Sequence, residues 1–263
     1  MKTRVVLILA VIVLTVFPGC VYQTGSKHTG FTYIMDQVRA GADDRPSQRS
    51  TSTAAPGKRE STALQIPRVD KTVYLTFDDG PDITNTPMVL NILDNYGVKA
   101  TFFVVGTNIE KNPEIFKDTV KRGHAIGNHT YNHKYNDVYS GTGGFMESIK
   151  TNEELIFRYT GQRPRIVRDP GGEARNNGSL KRVLAQNGYW LVDWNVDSHD
   201  SRKPSPEGAE IVENIRWQMM NKNLWPGVVI LMHDGAGHLN SVRALPTVIE
   251  MLQNQGFKFE VLK

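Results

Sequence analysis

Two adjacent carboxylates, Asp78 and Asp79, follow a β-branched and aromatic run, Val73 to Phe77. Further along, His129-Thr130-Tyr131-Asn132-His133 sets two imidazoles four residues apart. On one turn of helix that spacing puts both rings on the same face, where they can share an ion. The spacing alone is a weak signal, since paired histidines near a helix start are often surface or capping residues. A third ligand strengthens it: Asp79 offers an oxygen, and two histidines with one carboxylate and open positions make an established catalytic metal site. Phe77-Asp78-Asp79-Gly80-Pro81 also reads as a plain turn, because Asp, Gly and Pro are all turn formers. What argues for chemistry is the pairing, in which one carboxylate binds the ion while its neighbour stays free as a base.

These groups need elements to bring them together. From Val73 onward, short apolar runs alternate with amphipathic stretches, the pattern of β/α units. Strands are predicted at Val73–Phe77, Ala100–Val105, Ala125–Asn128, Arg165–Arg168, Tyr189–Asp193, Val228–Met232 and Phe257–Val261. Helices are predicted at Pro87–Tyr96, Pro113–Arg122, Phe145–Tyr159, Ser179–Asn187, Glu207–Lys222 and Ser241–Gln255, most of them followed by a glycine. Seven strands with intervening helices point to a β/α barrel or an open parallel sheet. Asp78 and Asp79, His129 and His133, Arg168 and Pro170, Asp197 and Asp200, and His233 and Asp234 all fall at or just after strand ends. In parallel folds those ends open on one face, so the residues should converge.

Five ordered motifs between Val73 and Leu262 resemble the NodB-like polysaccharide deacetylases of carbohydrate esterase family four. They are Thr76-Phe77-Asp78-Asp79-Gly80-Pro81, His129-Thr130-Tyr131-Asn132-His133, Arg168-Asp169-Pro170-Gly171-Gly172, Asp197-Ser198-His199-Asp200 and Leu231-Met232-His233. The resemblance implies an α/β fold, a distorted (β/α)7 barrel forming one catalytic domain. It also implies one divalent ion on Asp79, His129 and His133, with zinc favoured and cobalt, nickel or iron able to fill such a site. Asp78 is then the general base, oriented by Arg168, and His233 the acid that protonates the leaving amine. Asp197 or Asp200, with Asp200 preferred, orients His233. The Gly171 N–H, beside Pro170, stabilises the oxyanion, and Leu231 lines the acetyl pocket.

Two positions depart from the family pattern. Ser201 follows Asp200 where Trp is usual, so an aromatic wall is absent or supplied by Trp194 or Trp225. Gly171 stands where many members carry an aromatic residue, which removes another stacking surface. His124, His199 and His238 read as surface or supporting residues, and Tyr131, Trp190 and Trp217 as barrel packing. Met219 and Met220 carry no metal signal.

The 263 residues, 39% hydrophobic, suffice for one large domain and a tail. The net charge of +4 is scattered, which argues against nucleic acid as a partner. The single cysteine, Cys20, excludes an intramolecular disulfide and a cysteine-based zinc site. Lys2 and Arg4, the apolar Val5 to Phe17 and then Pro18-Gly19-Cys20 resemble a bacterial lipoprotein signal, with an ordinary cleaved signal peptide or an uncleaved anchor as the alternative. The organisation expected is a signal over 1–20, a flexible tether over 21–67 and the catalytic domain over 68–263. An extracytoplasmic enzyme tethered to the membrane through Cys20 meets peptidoglycan first. The expected substrate is therefore its N-acetylglucosamine, with chitooligosaccharides, poly-N-acetylglucosamine or O-acetyl esters as alternatives. A non-catalytic envelope protein keeping the fold is the rival reading, and no protein partner is implied.

Overall fold

Strand β1 (Thr72–Asp78) sorts its side chains by parity. Val73, Leu75 and Phe77 enter the main hydrophobic core, while Tyr74, Thr76 and Asp78 lie on the opposite, inner face. The computed structural model describes residues 71–263, so the expectations for Cys20, the signal and the tether lie outside the described residues. Seven further strands follow: β2 (Thr101–Val104), β3 (Ala125–Asn128), β4 (Ile166–Val167), β5 (Trp190–Leu191), β6 (Val196–Asp197), β7 (Val228–His233) and β8 (Lys258–Phe259).

All pairings are parallel, in the order β5-β4-β3-β2-β1-β7-β6, with β8 beside the start of β1. β1 is therefore central, and its last residue Asp78 stands level with Phe103 of β2 and His233 of β7. The sheet curls into a distorted (β/α)7 barrel whose end strands β5 and β6 are joined by no ladder among the described residues. Side chains reinforce the paired strands on either side of that gap. Asn195 donates to Gly227 O at 2.8 Å and accepts from Val229 N at 2.8 Å, and Arg168 Nε donates to Val192 O at 3.2 Å.

Among the described residues eight α-helices complete the domain: α1 (Asn85–Asn95), α2 (Gly106–Lys111), α3 (Pro113–Lys121), α4 (Tyr135–Val138), α5 (Thr142–Thr160), α6 (Gly178–Gln186), α7 (Gly208–Met219) and α8 (Leu239–Asn254). Their buried stripes, such as Leu90 and Leu93 of α1, Ile211 and Ile215 of α7 and Leu245 and Val248 of α8, pack on the odd-numbered residues of β1. The Asn177 side chain caps α6 by accepting from Ser179 N and Leu180 N. A smaller cluster of Phe103, Ile166, Val192, Val229 and Leu262 fills the barrel interior below the polar inner face.

The predicted strands and helices are present, several with shorter strands than expected. The fourth, fifth and last shrink to two residues each, because the curl leaves little length over which neighbours stay in register. The short α2, α4 and β6 were not anticipated, since elements of this size carry no periodicity. Two packing expectations are corrected: Trp190 is 42% exposed and Trp217 74% exposed, so neither packs the barrel. Tyr131 does pack against the core, with its hydroxyl on Glu110.

Candidate active site

Asp79, His129 and His133 present ligand atoms that all lie within 4.8 Å of one another. Asp79 Oδ1 is 3.4 Å from His129 Nε2 and 3.3 Å from His133 Nε2. Asp79 Oδ1 is buried with no hydrogen-bond partner, a costly state for a carboxylate oxygen unless a cation fills the space it faces. His129 Nδ1 donates to the Arg168 carbonyl at 2.8 Å, which leaves the Nε2 lone pair aimed at Asp79. Burial would raise the Asp79 pKa, but the adjoining imidazoles hold its carboxyl below the usual range. This donor set fits a divalent ion of the zinc type, and the orphaned oxygen is what such an ion would satisfy.

The two histidines do not share a turn of helix, contrary to the spacing argument. Residues 129–134 form a loop in which Thr130 and His133 take positive φ angles of 69° and 54°. Side chains hold this loop in place of a helical ladder: Asn128 Oδ1 accepts from Thr130 N, Ser148 Oγ from Tyr131 N, and Thr130 Oγ1 from His133 N. Asp79 also has a positive φ, 75°, so backbone strain gathers on two of the three ligands. Behind Asp79 the chain is close packed. A Cβ on Gly235 would lie 2.6 Å from Asp79 Cβ, and one on Gly80 would strike the Asp234 carboxylate. Asp234 is fully buried, takes a 2.5 Å bond from Thr86 Oγ1 and has its pKa pushed up to about 7 by burial, with Asp79 and Asp78 adding to the rise.

Asp78 faces the same space. Its Oδ1 accepts from Arg168 Nη1 at 2.9 Å, and its Oδ2 is 3.8 Å from His129 Nε2. Arg168 is fully buried, a state a guanidinium tolerates only when paired. It also donates to Thr76 Oγ1 at 2.7 Å and lies over the Phe103 ring at 4.2 Å. Across β1, His233 Nδ1 donates to Asp200 Oδ1 at 2.7 Å. Asp200 Oδ2 accepts from His233 N at 2.8 Å and from Ser241 Oγ at 2.6 Å. Burial pulls the His233 pKa down, yet the Asp200 bond and charge prevail and hold it at about 9.

Asp200, and not Asp197, is therefore the partner of His233. Asp197 instead accepts from His199 N and lies 3.4 Å from His199 Nδ1. Asp200, His233 and His238 also cluster within 4.8 Å, but both Asp200 oxygens are occupied by hydrogen bonds, so this group reads as an oriented acid. His238 stacks on His233 with centroids 4.8 Å apart, closer to the chemistry than expected. His124 lies at the opposite end of the barrel, accepting from Ala100 N, with burial lowering its pKa to about 4.

Leu231 is 5% exposed on the inner side of β7, level with Thr76 and Asp197. Pro170 is buried and its carbonyl accepts from the Tyr139 hydroxyl at 2.6 Å. Gly171 and Gly172 take φ angles of 68° and 74°. Of the two tryptophans offered as aromatic walls, Trp194 stands beside Gly172. Trp225 packs on Phe257 under the start of β1, where its carbonyl accepts from Thr72 N. Sequence reasoning missed Thr76, Ser241, Tyr139 and Tyr135. Their hydroxyls and rings become informative only once the fold places them against Arg168, Asp200, Asp169 and His133.

A parallel β/α barrel with an Asp-His-His cluster, a buried Arg-Asp pair and an Asp-supported histidine at its strand ends is the architecture of a hydrolase that activates water. The polysaccharide deacetylase family profile matches residues 65–192. A peptidoglycan-N-acetylglucosamine deacetylase of Bacillus cereus is 38% identical over 228 residues, covering 86% of this chain and 78% of that protein. The crystal structure of the Bc1960 peptidoglycan N-acetylglucosamine deacetylase bound to a hydroxamate-type benzamide superposes with a TM-score of 0.66 at 37% identity, over 73% of this chain and 86% of that one. A Streptococcus mutans carbohydrate esterase family four esterase gives a TM-score of 0.69 at 30% identity, over 74% and 87%. The chain belongs to the polysaccharide deacetylase family, as a NodB-like member of carbohydrate esterase family four.

Proposed function

We propose that the chain hydrolyses the N-acetyl group of N-acetylglucosamine in peptidoglycan, releasing acetate, with one divalent ion on Asp79, His129 and His133. The observation that carries the chemistry is the placement of Asp78 and His233 at the same level of adjacent strands, flanking the Asp-His-His cluster. The peptidoglycan assignment is supported by the substrate named for the Bacillus cereus relative.

When bound, the ion supplies Lewis acidity that makes water acidic and the acetamide carbonyl electrophilic. Asp78, held by Arg168, takes the proton of the attacking water. The Gly171 N–H steadies the developing oxyanion. His233 gives its proton from Nε2 to the departing amine, since Nδ1 is engaged by Asp200. The raised His233 pKa keeps that proton available at neutral pH. Leu231 lines the space for the acetyl methyl.

The enzyme works outside the cytoplasm on a lipid anchor at Cys20, a reading supported by the charged start, apolar stretch and cysteine of residues 1–20. Labelling cells with a fatty-acid analogue tests it, and Cys20→Ala should lose the label. The activity is tested by acetate release from purified protein acting on peptidoglycan and on N-acetylglucosamine pentamer, before and after chelation and zinc restoration, with Asp78→Asn as control. Chelator-sensitive release that Asp78→Asn abolishes supports the reading. No release from a folded, zinc-loaded chain overturns it.

A further inference from the structure

Gly171 lacks a side chain, and another residue occupies the space one would take. A Cβ there would collide with Tyr135 Oη and stand 3.0 Å from Tyr135 Cζ. Tyr135 comes from α4, on the far side of the His129–His133 loop, and is 46% exposed. A large, half-exposed aromatic beside a reaction site needs an explanation that a scattered surface residue does not.

The ring is held firmly. It meets His133 edge-on at 6.0 Å between centroids and Tyr139 at 5.5 Å. Tyr139 stacks on the fully buried Phe145 at 6.2 Å, and its hydroxyl donates to Asp169 Oδ2 at 2.9 Å or to Pro170 O at 2.6 Å. A continuous row of rings thus runs from the core to a metal-ligand histidine and ends on an exposed face. That row borders a cavity of about 640 Å³ lined by Tyr135, Asn136, Tyr139, Glu173 and Asn177. The size falls within the range of ligand-binding clefts. Its make-up is two aromatic rings with two amides and one carboxylate. Rings suit the C–H face of a pyranose, and amides and carboxylates suit its hydroxyls.

We infer that Tyr135 is the stacking platform for the sugar residue next to the one being deacetylated, and that the Tyr135–Asn177 cavity is its subsite. The occupant is a neighbouring hexosamine of the same glycan strand. This inference rests on the glycan substrate proposed above, and it predicts that affinity comes from the ring face and not from the hydroxyl.

The test uses the zinc-loaded full chain carrying Asp78→Asn, with N-acetylglucosamine pentamer as the probe in titration calorimetry. Adding Tyr135→Ala should weaken pentamer binding about tenfold, the order expected for losing one buried aromatic contact. Tyr135→Phe should bind within about twofold of the parent, and Asn136→Ala should weaken it by a smaller factor than Tyr135→Ala. Zinc content should stay the same in all of them, which separates a lost platform from a disturbed His133. In the chain with Asp78 restored, Tyr135→Ala should raise KM by a factor similar to the loss in affinity. Unchanged binding by Tyr135→Ala, equal losses in the Phe and Ala variants, or no binding by the parent would each overturn the inference. If the parent binds pentamer and Tyr135→Ala binds it about tenfold more weakly, yet the Asp78 chain releases no acetate, the subsite stands and the deacetylase reading fails.

Discussion

Arg168 Nη1 lies 2.9 Å from Asp78 Oδ1, with neither side chain more than 4% exposed. A guanidinium sealed inside a barrel must be matched by acceptors, and here the carboxylate, Thr76 Oγ1 and the Val192 carbonyl match it. Removing the cation while leaving the anion buried is the costly direction. Arg168→Met should destabilise the fold by about 3–5 kcal/mol, measured by urea unfolding. Asp78→Asn keeps an acceptor toward Arg168, so it should lose about 10²–10⁴-fold in turnover with a far smaller stability change.

The His233–Asp200 pair sets a pH dependence whose sign can be worked out. The folded pKa of His233 is raised from 6.5 to about 9, so the folded state holds its proton more tightly. The resulting stability is fully present below pH 6.5 and is lost as pH rises toward 9. Turnover that needs the protonated acid should fall on the same alkaline limb. Asp200→Asn removes the interaction that raises the pKa, so the limb should move to lower pH in a rate profile of acetate release.

Chelation offers a readout apart from activity. An ion present at a hundred times its dissociation constant stabilises a folded chain by about 2.7 kcal/mol. Dialysis against a chelator should therefore lower the melting temperature, and zinc should restore it. In His133→Ala the shift should shrink sharply, because one of the three candidate ligands is gone.

Tyr139 secures the loop that carries Pro170 and Gly171. Its hydroxyl serves Asp169 and the Pro170 carbonyl, while Ala174 N supplies Asp169 with a second donor at 2.6 Å. Burial raises the Asp169 pKa despite those bonds. Tyr139→Phe keeps the ring stack on Phe145 but removes the one donor that Asp169 Oδ2 and the Pro170 carbonyl share, and should cost about 1–3 kcal/mol in thermal unfolding.

Much of this site was legible in the sequence because strand ends are legible. Asp78 and Asp79, His129, Arg168 and His233 each close or follow an apolar run, and parallel topology converts that position into proximity. The path between His129 and His133 was not legible. A four-residue spacing suits a helix, but Asn128, Thr130 and Ser148 capture the backbone N–H groups first. Asp197 and Asp200 were ambiguous for a related reason. A chain reversal at His199, with φ of 60°, decides which carboxylate returns to His233, and spacing does not encode that turn. Trp190 and Trp217 misled because aromatic residues at helix and strand positions usually face inward, whereas these two face solvent. Tyr135 was invisible because α4 is four residues long and its ring acquires meaning only from filling the space that a side chain on Gly171 would take.

Arg168 also acts twice through different parts of one residue. Its carbonyl fixes His129 and its guanidinium fixes Asp78, so a candidate metal ligand and the proposed base share a single mounting at the end of β4. A displacement of Arg168 would therefore loosen the hold on both groups at once, so one residue sets the position of two others at the ends of separate strands.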